Sequence, residues 1–275
     1  MDQHTRRKFL KGVSLGTAAF FSVAEAAGQG QMPGLPPSGD SAKTAAPPSN
    51  VMAIAAHPGD AFFAMGAPVA MAARQGGQGV FLSLTLGERG SATIPPKEYG
   101  DLQREASNRA ARGLAAEAVF LNYPDGEVPV SRDASLAVCD LIRQYKPQVV
   151  VTHWRGSWHK DHRACYQVVT DAIFYAALPA LTRSAPAHSV SKTYFADNWE
   201  DAKGFVPDTY LDITPVFDPW ATACATFPMW RGENGFRYKD YYCALAVCRG
   251  CVSGFYHAVA LMSPPEQLVS HTRSL

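Results

Sequence analysis

Charge of one sign is what this 275-residue chain lacks: 25 Lys and Arg against 24 Asp and Glu leave a formal net charge of +1. That balance builds no extended field for nucleic acid or an anionic membrane surface, and it suits small or neutral substrates. Charged residues make up only 18% of the chain and hydrophobic ones 47%, so a sizeable core can form and disorder by composition is excluded. After residue 30 no run approaches the roughly 18 apolar residues of a membrane span. Cysteine is sparse, with six residues, all from Cys139 onward. A core of this size does not need disulfides. Cys248 and Cys251 form a lone C-x-x-C. It reads as a redox pair or half a zinc site, or else as two small packed side chains. The missing partner motif and the missing thioredoxin-like βαβ pattern favour packing.

The first residues do have a pattern. Thr5-Arg6-Arg7-Lys8-Phe9-Leu10-Lys11 leads into a weakly apolar run from Gly12 to Val23 and then Ala24-Glu25-Ala26. A basic start, a short apolar stretch and a small-x-small exit make a signal peptide, expected over residues 1–26. Its paired arginines resemble the twin-arginine export signal, which implies passage of a folded protein through that machinery to a periplasmic or extracellular location. Residues 27–50, rich in Pro, Gly, Ser and Ala, are expected to be a flexible linker.

Residues 51–275 then read as one domain. Short apolar runs at Val51–Ala56, Val80–Leu86, Ala118–Asn122 and Val149–His153 alternate with helical spacing at Asp60–Gln75, Pro96–Leu114, Ser135–Tyr145 and Arg163–Ala177. That alternation predicts an α/β domain, a mainly parallel sheet flanked by helices. Further on, strands are expected at Thr193–Phe195 and Thr209–Ile213, and helices near Pro215–Thr226 and Tyr241–Met262. No internal repeat is present.

Two motifs carry chemistry. His57 and Asp60 follow the first strand in Ala56-His57-Pro58-Gly59-Asp60, and His159 and His162 follow the Val149–His153 strand in His159-Lys160-Asp161-His162. In an open parallel sheet both groups project from the same rim, the carboxyl ends of the strands. Two imidazoles and a carboxylate suit zinc or another borderline divalent metal, and three protein ligands leave a position for water. Singly, each residue has a plainer role, as a turn, a helix N-cap or a solvated helix face.

The run from Ala56 to Gly66, then Leu84-Thr85-Leu86-Gly87-Glu88-Arg89-Gly90, Arg104-Glu105, Tyr123-Pro124-Asp125-Gly126, His159 to His162 and Asp212-Ile213-Thr214 resemble, in order, the motifs of the PIG-L/LmbE-like de-N-acetylases. The resemblance covers roughly Val51 to Thr226. It implies a Rossmann-like sheet and a zinc-dependent enzyme that removes acetyl groups from N-acetylated amino sugars or glycoconjugates. It also implies His57, Asp60 and His162 as metal ligands, His159 as stabiliser of the oxyanion, and Arg104 and Asp125 near the substrate.

One departure matters. The family's A-H-P-D-D-E has Gly59 in place of its first Asp, which is the general base, and Ala61 in place of the Glu. Loss of a positioned base costs about 10²–10⁴ in rate. Asp161 is the expected substitute, with Glu105 as a second; Asp161 also reads as an acceptor that orients a ligand imidazole. The alternative is a weak or inactive relative that binds glycans in the same cleft. Trp154 and Trp158 flank the metal motif and could stack on a sugar ring, although such rings more often fill a core. His257 reads as a packed or surface histidine.

Overall fold

The apolar runs become adjacent strands because the central ones are buried on both faces, as a parallel sheet between helices requires, while the Ala118–Asn122 run is only partly buried at the sheet edge. The computed structural model describes residues 48–267, so the expected export signal and residues 27–47 of the expected linker lie outside the described residues. The strands are β1 (Val51–Ala55), β2 (Gly79–Thr85), β3 (Ala116–Tyr123), β4 (Val149–Thr152), β5 (Lys192–Ala196), β6 (Thr209–Asp212) and β7 (Ala258–Met262). Between them run α1 (Pro58–Phe63), α2 (Gly66–Arg74), α3 (Pro96–Gly113), α4 (Arg132–Tyr145), α5 (Lys160–Ala177), α6 (Phe217–Cys224) and α7 (Tyr238–Ser253).

The sheet order is β3-β2-β1-β4-β5-β7-β6. Strands β1 to β5 pair in parallel, and β7 runs antiparallel to both β5 and β6. This is the expected α/β architecture, a mostly parallel sheet covered on both faces. One face packs Phe62, Met65, Phe81 and Trp220 with α1, α2, α3 and α6; the other packs Ile54, Val138, Ile142 and Val168 with α4 and α5. Strand order reverses between β1 and β4, the crevice where such sheets bind ligands. No helix among the described residues is long and apolar enough to cross a membrane.

Local chemistry explains most boundaries. Ser131 caps α4 by accepting from the Ala134 N–H, and the helix ends at Lys146 in the left-handed region, just before Pro147. Two expectations are corrected. The helix expected over Asp60–Gln75 is two helices, broken at Ala64 and Met65. Trp220 Nε1 donates to the Phe62 carbonyl at 2.8 Å, the acceptor that the Gly66 N–H would use in a continuous helix. The helix expected to run on to Met262 stops at Ser253, where Gly254 takes φ +80°. The apolar residues after it form β7, inserted between β5 and β6.

Candidate metal and catalytic site

The chain turns sharply at the carboxyl ends of β1 and β4 and brings four histidines together. His57 is the N-cap residue of α1, His153 directly follows β4, and His159 and His162 open α5. The rings of His57 and His159 lie 4.8 Å apart, those of His159 and His162 4.6 Å, and those of His153 and His162 3.9 Å. Three overlapping sets of ligand atoms fall within 4.8 Å of one another: His57, His159 and His162; Asp60, His153 and His162; and His57, Asp125 and Asp161.

Hydrogen bonding separates the nitrogens and oxygens free to hold a cation from those already engaged. Nε2 of His153 accepts the Ala56 N–H at 3.1 Å, and its Nδ1 lies 2.7 Å from Asp201 Oδ2. That ring is fully committed. Asp125 Oδ2 accepts the Arg89 N–H, and the Asp161 oxygens accept the N–H groups of Gly126 and Val128. Asp125 Oδ1 lies 3.0 Å from Nε2 of His57, which leaves Nδ1 of that ring 3.0 Å from Asp60 Oδ2. Asp201 Oδ1 sits 2.8 Å from Nδ1 of His162. The remaining nitrogen, His162 Nε2, is buried and makes no hydrogen bond, although Asp60 Oδ2 is 3.2 Å away.

An orphaned imidazole nitrogen facing a carboxylate is what a cation between them would satisfy. His57 Nδ1, Asp60 Oδ2 and His162 Nε2 are donors of the types that fit a divalent metal of the zinc type, the Asp60 oxygen lying 3.0 Å from the first nitrogen and 3.2 Å from the second. Their protons follow the same logic. Burial opposes charge on His162, but the Asp60 charge and the Asp201 carboxylate push its pKa up to about 9. Burial likewise opposes charge on His57, and the carboxylates of Asp125, Asp161 and Asp60 hold it well above the usual range. Asp60 is held well below the carboxylate range, against its burial, by His162 and His57.

Beside this set is a cavity of about 150 Å³ lined by Gly59, Tyr99, Gln103, His159, Glu200, Met229, Asn234 and Tyr238, together with His57, Asp60, Gly87, Gly90 and Asp125. Among these lining residues there is no Lys or Arg. His159 Nδ1 accepts the Asp161 N–H at 3.2 Å, so the neutral ring carries its proton on Nε2. Burial and the charges of His162 and His57 bring its pKa down to about 4, which keeps that ring a neutral donor.

The base position is not merely empty. A Cβ on Gly59 would meet Met229 Sδ and the Phe63 ring at 3.3 Å, so Met229 fills the space where a carboxylate on residue 59 would begin. After Asp60, the carboxylate nearest the orphaned nitrogen is Glu200, whose Oε2 lies 3.4 Å from His162 Nε2. Its backbone N–H is capped by Asn198 Oδ1, and Asn198 Nδ2 donates to Asp60 Oδ1 at 2.8 Å. Among the acids lining the cavity, Glu200 alone has no N–H donor on its oxygens. Burial and the Asp60 charge push its pKa up to about 7.

The structure therefore gathers His57, Asp60, His159 and His162 as the sequence suggests, but redistributes the rest. Asp161 is fully buried, accepts from the Gly126 and Val128 N–H groups, does not line the cavity, and lies 3.6 Å from His57 Nε2, the place of an acceptor that orients that imidazole. Asp125 lines the cavity while engaging His57 and Arg89. Arg104 lies elsewhere: its guanidinium donates to Asn122 Oδ1 at 2.5 Å, stacks over Phe120 and does not line the cavity. Glu105 is paired with Arg109 on the same exposed helix face. Trp154 is buried with its Nε1 on the Lys203 carbonyl, and His257 stacks on Phe217. All six cysteines are free; Cys248 and Cys251 are exposed on α7. Glu200, Asp201 and Asn198 escaped the sequence reading because Asn198-Trp199-Glu200-Asp201 is no recognised motif. The available signal was an Asn-x-Glu turn after a strand that ends on the same rim.

Residues 52–173 match the family model described as PIG-L: GlcNAc-PI de-N-acetylase. Among curated proteins, 4-oxalmesaconate hydratase of Pseudomonas putida is 24% identical over 213 residues, 74% of this chain and 81% of that protein. Diacetylchitobiose deacetylase of Thermococcus kodakarensis is 24% identical over 229 residues, 78% of this chain and 83% of the other. The crystal structure of the Pseudomonas putida 4-carboxy-2-hydroxymuconate hydratase shares the fold, with a TM-score of 0.74 and 22% identity over 82% of this chain and 99% of that one.

Proposed function

We propose, from the match of residues 52–173 to the PIG-L family model, that the protein is a metal-dependent hydrolase removing the acetyl group from an N-acetylated amino sugar or glycoconjugate. The observation that carries this reading is the orphaned Nε2 of His162 facing Asp60, with His57 on the same carboxylate, beside a cavity lined by no Lys or Arg. His57, Asp60 and His162 would hold zinc or a similar ion, which when bound would lower the pKa of water toward neutrality and polarise an amide carbonyl.

The chain's own groups do the rest. His159 Nε2–H donates to the oxygen that gains charge as the carbonyl becomes tetrahedral, a contribution of about 10²–10³ in rate for such donors. Glu200 Oε2 accepts the proton from the attacking water and returns it to the departing amine nitrogen. Glu200 Oε2, 3.4 Å from His162 Nε2 and without an N–H donor, is the carboxylate placed for both. Asp201 and Asp125 orient His162 and His57, each taking the ring nitrogen that the ion does not use. Tyr99, Gln103, Asn234 and Tyr238 give the cavity neutral hydrogen-bonding groups suited to hydroxyls.

A second reading, addition of water to a carbon–carbon double bond conjugated with a carboxylate, is favoured by the similarity to a hydratase. The lining weighs against it, since a substrate with several carboxylates calls for Arg or Lys and none lines this cavity. Acetate release from N-acetylglucosamine conjugates, run beside loss of absorbance from unsaturated dicarboxylates, separates the two. Acetate release with no hydration supports the hydrolase, and the reverse overturns it. Export remains part of the proposal through Arg6 and Arg7; Arg6→Lys with Arg7→Lys should retain the protein in the cytoplasm if the signal works as its pattern implies.

A further inference from the structure

Trp158 is 65% exposed although it adjoins the most enclosed chemistry in the protein. A single exposed aromatic residue needs no explanation; this one has a rigid mounting and aromatic neighbours. Its N–H donates to the Glu200 carbonyl at 3.2 Å, and Arg163 donates to its carbonyl at 2.7 Å and to that of Ser157 at 3.0 Å. Its ring lies 5.6 Å from that of His159 and 6.1 Å from that of Trp199. Trp199 stacks on Phe236 at 4.3 Å, and Phe236 meets Tyr238 edge-on at 4.7 Å. His159, Glu200 and Tyr238 line the cavity, so an aromatic border connects three points of its edge.

We propose that Trp158 is the platform of an outer subsite, on which the ring next to the one bearing the reactive group lays its apolar face, so that the preferred ligand is a saccharide of two or more rings. This deepens the hydrolase reading and rests on it for the identity of the reactive ring. Three features support it. The cavity, at about 150 Å³, holds little more than a single sugar ring, so a second ring must lie outside it. The exposed indole lies 5.6 Å from the His159 ring, and pyranose rings present C–H faces that cover such surfaces. The pinned backbone holds the indole where the ring would arrive, so little ordering is required on binding.

Calorimetric titration of the full-length protein with N-acetylglucosamine and its β-1,4-linked dimer and trimer tests this. The dimer is expected to bind about ten-fold more tightly than the monomer, in keeping with one aromatic stacking contact. Trp158→Ala should abolish that gain while monomer affinity and metal content stay as in wild type, and Trp158→Phe should keep part of it. Equal affinity for monomer and dimer, no binding of the dimer, or a gain that survives Trp158→Ala overturns the proposal. So does a gain confined to an aryl glycoside of the monomer, or a Trp158-dependent dimerisation of the protein. Because binding is read without turnover, a subsite that binds saccharides in a protein that releases no acetate sinks the hydrolase reading alone. Acetate release indifferent to ring number and to Trp158→Ala sinks the subsite alone.

Discussion

Asp201 Oδ1 stands 2.8 Å from Nδ1 of His162, and the opposite nitrogen of that imidazole is buried without a partner. The carboxylate fixes which nitrogen carries the proton and aims the other at Asp60. Removing such an orienting group costs about 10–100-fold in metal affinity. Asp201→Asn should therefore weaken zinc binding by that factor in a competitive chelator titration, and an unchanged affinity would deny Asp201 its orienting role.

Metal binding should depend steeply on pH, because the cation must displace the proton that the carboxylates keep on His162 up to about pH 9. Apparent zinc affinity should rise by at least about one log unit per pH unit up to that point and then level off. The sign reverses for metal-free stability. A histidine whose folded pKa is raised above 6.5 stabilises the fold below that pH, and its contribution is lost as pH rises to about 9. Thermal melts of chelated protein should fall over that interval, while zinc-loaded protein should not follow them.

Glu200 and Gly59 make a pair of opposite predictions. Glu200→Gln, which keeps shape and loses the proton acceptor, should lower kcat by about 10²–10⁴ with little change in zinc content. Gly59→Asp must push Met229 aside and duplicates a base already present, so kcat should change by less than about ten-fold. A large gain from Gly59→Asp, measured as initial rates of acetate release, would mean that Glu200 does not act as the base.

His159 and Arg104 both come from the same family resemblance, and the structure parts them. His159→Ala removes the only neutral imidazole donor in the cavity lining and should cost about 10²–10³ in kcat. Arg104→Ala breaks a contact with Asn122 and Phe120 outside the cavity. Its kcat/KM should stay within about three-fold of wild type, equivalent to less than ~1 kcal/mol.

What could be read before the structure follows from how local each signal is. The β1 and β4 runs were legible because every residue of β1 is buried, which yields an unbroken apolar stretch. The His57–Asp60 and His159–His162 pairs, which the structure brings together, were legible because each spans only four residues after a strand. The split between α1 and α2 was not, since its cause is the Trp220 indole 158 positions along the chain. Likewise β7 read as a continuation of α7, because a short apolar run has no periodicity of its own and only Gly254 marks the break. Glu200 and Asp201 were invisible for the same reason as Trp220: their roles exist only once β5 sits beside β4.

Away from the site, the guanidinium of Arg143 is fully buried and donates to the carbonyls of Tyr175, Ala176, Leu178, Leu181 and Ala185. It closes the carboxyl end of α5, whose other end carries His159 and His162. Arg143→Met keeps the volume but strands those acceptors, and should destabilise the fold by about 3 kcal/mol or more. Calorimetric melting should show a Tm drop of roughly 6 °C or more, with zinc stoichiometry intact at 25 °C.

The most direct measurement is acetate release from an N-acetylglucosamine conjugate by full-length protein as purified, after chelation, and after return of one equivalent of zinc. The structure leads us to expect release that disappears with the metal and comes back with it, and that His162→Ala loses at every metal concentration. Acetate release indifferent to the chelator, or no release from protein carrying stoichiometric zinc, would contradict a hydrolytic metal site built on His57, Asp60 and His162.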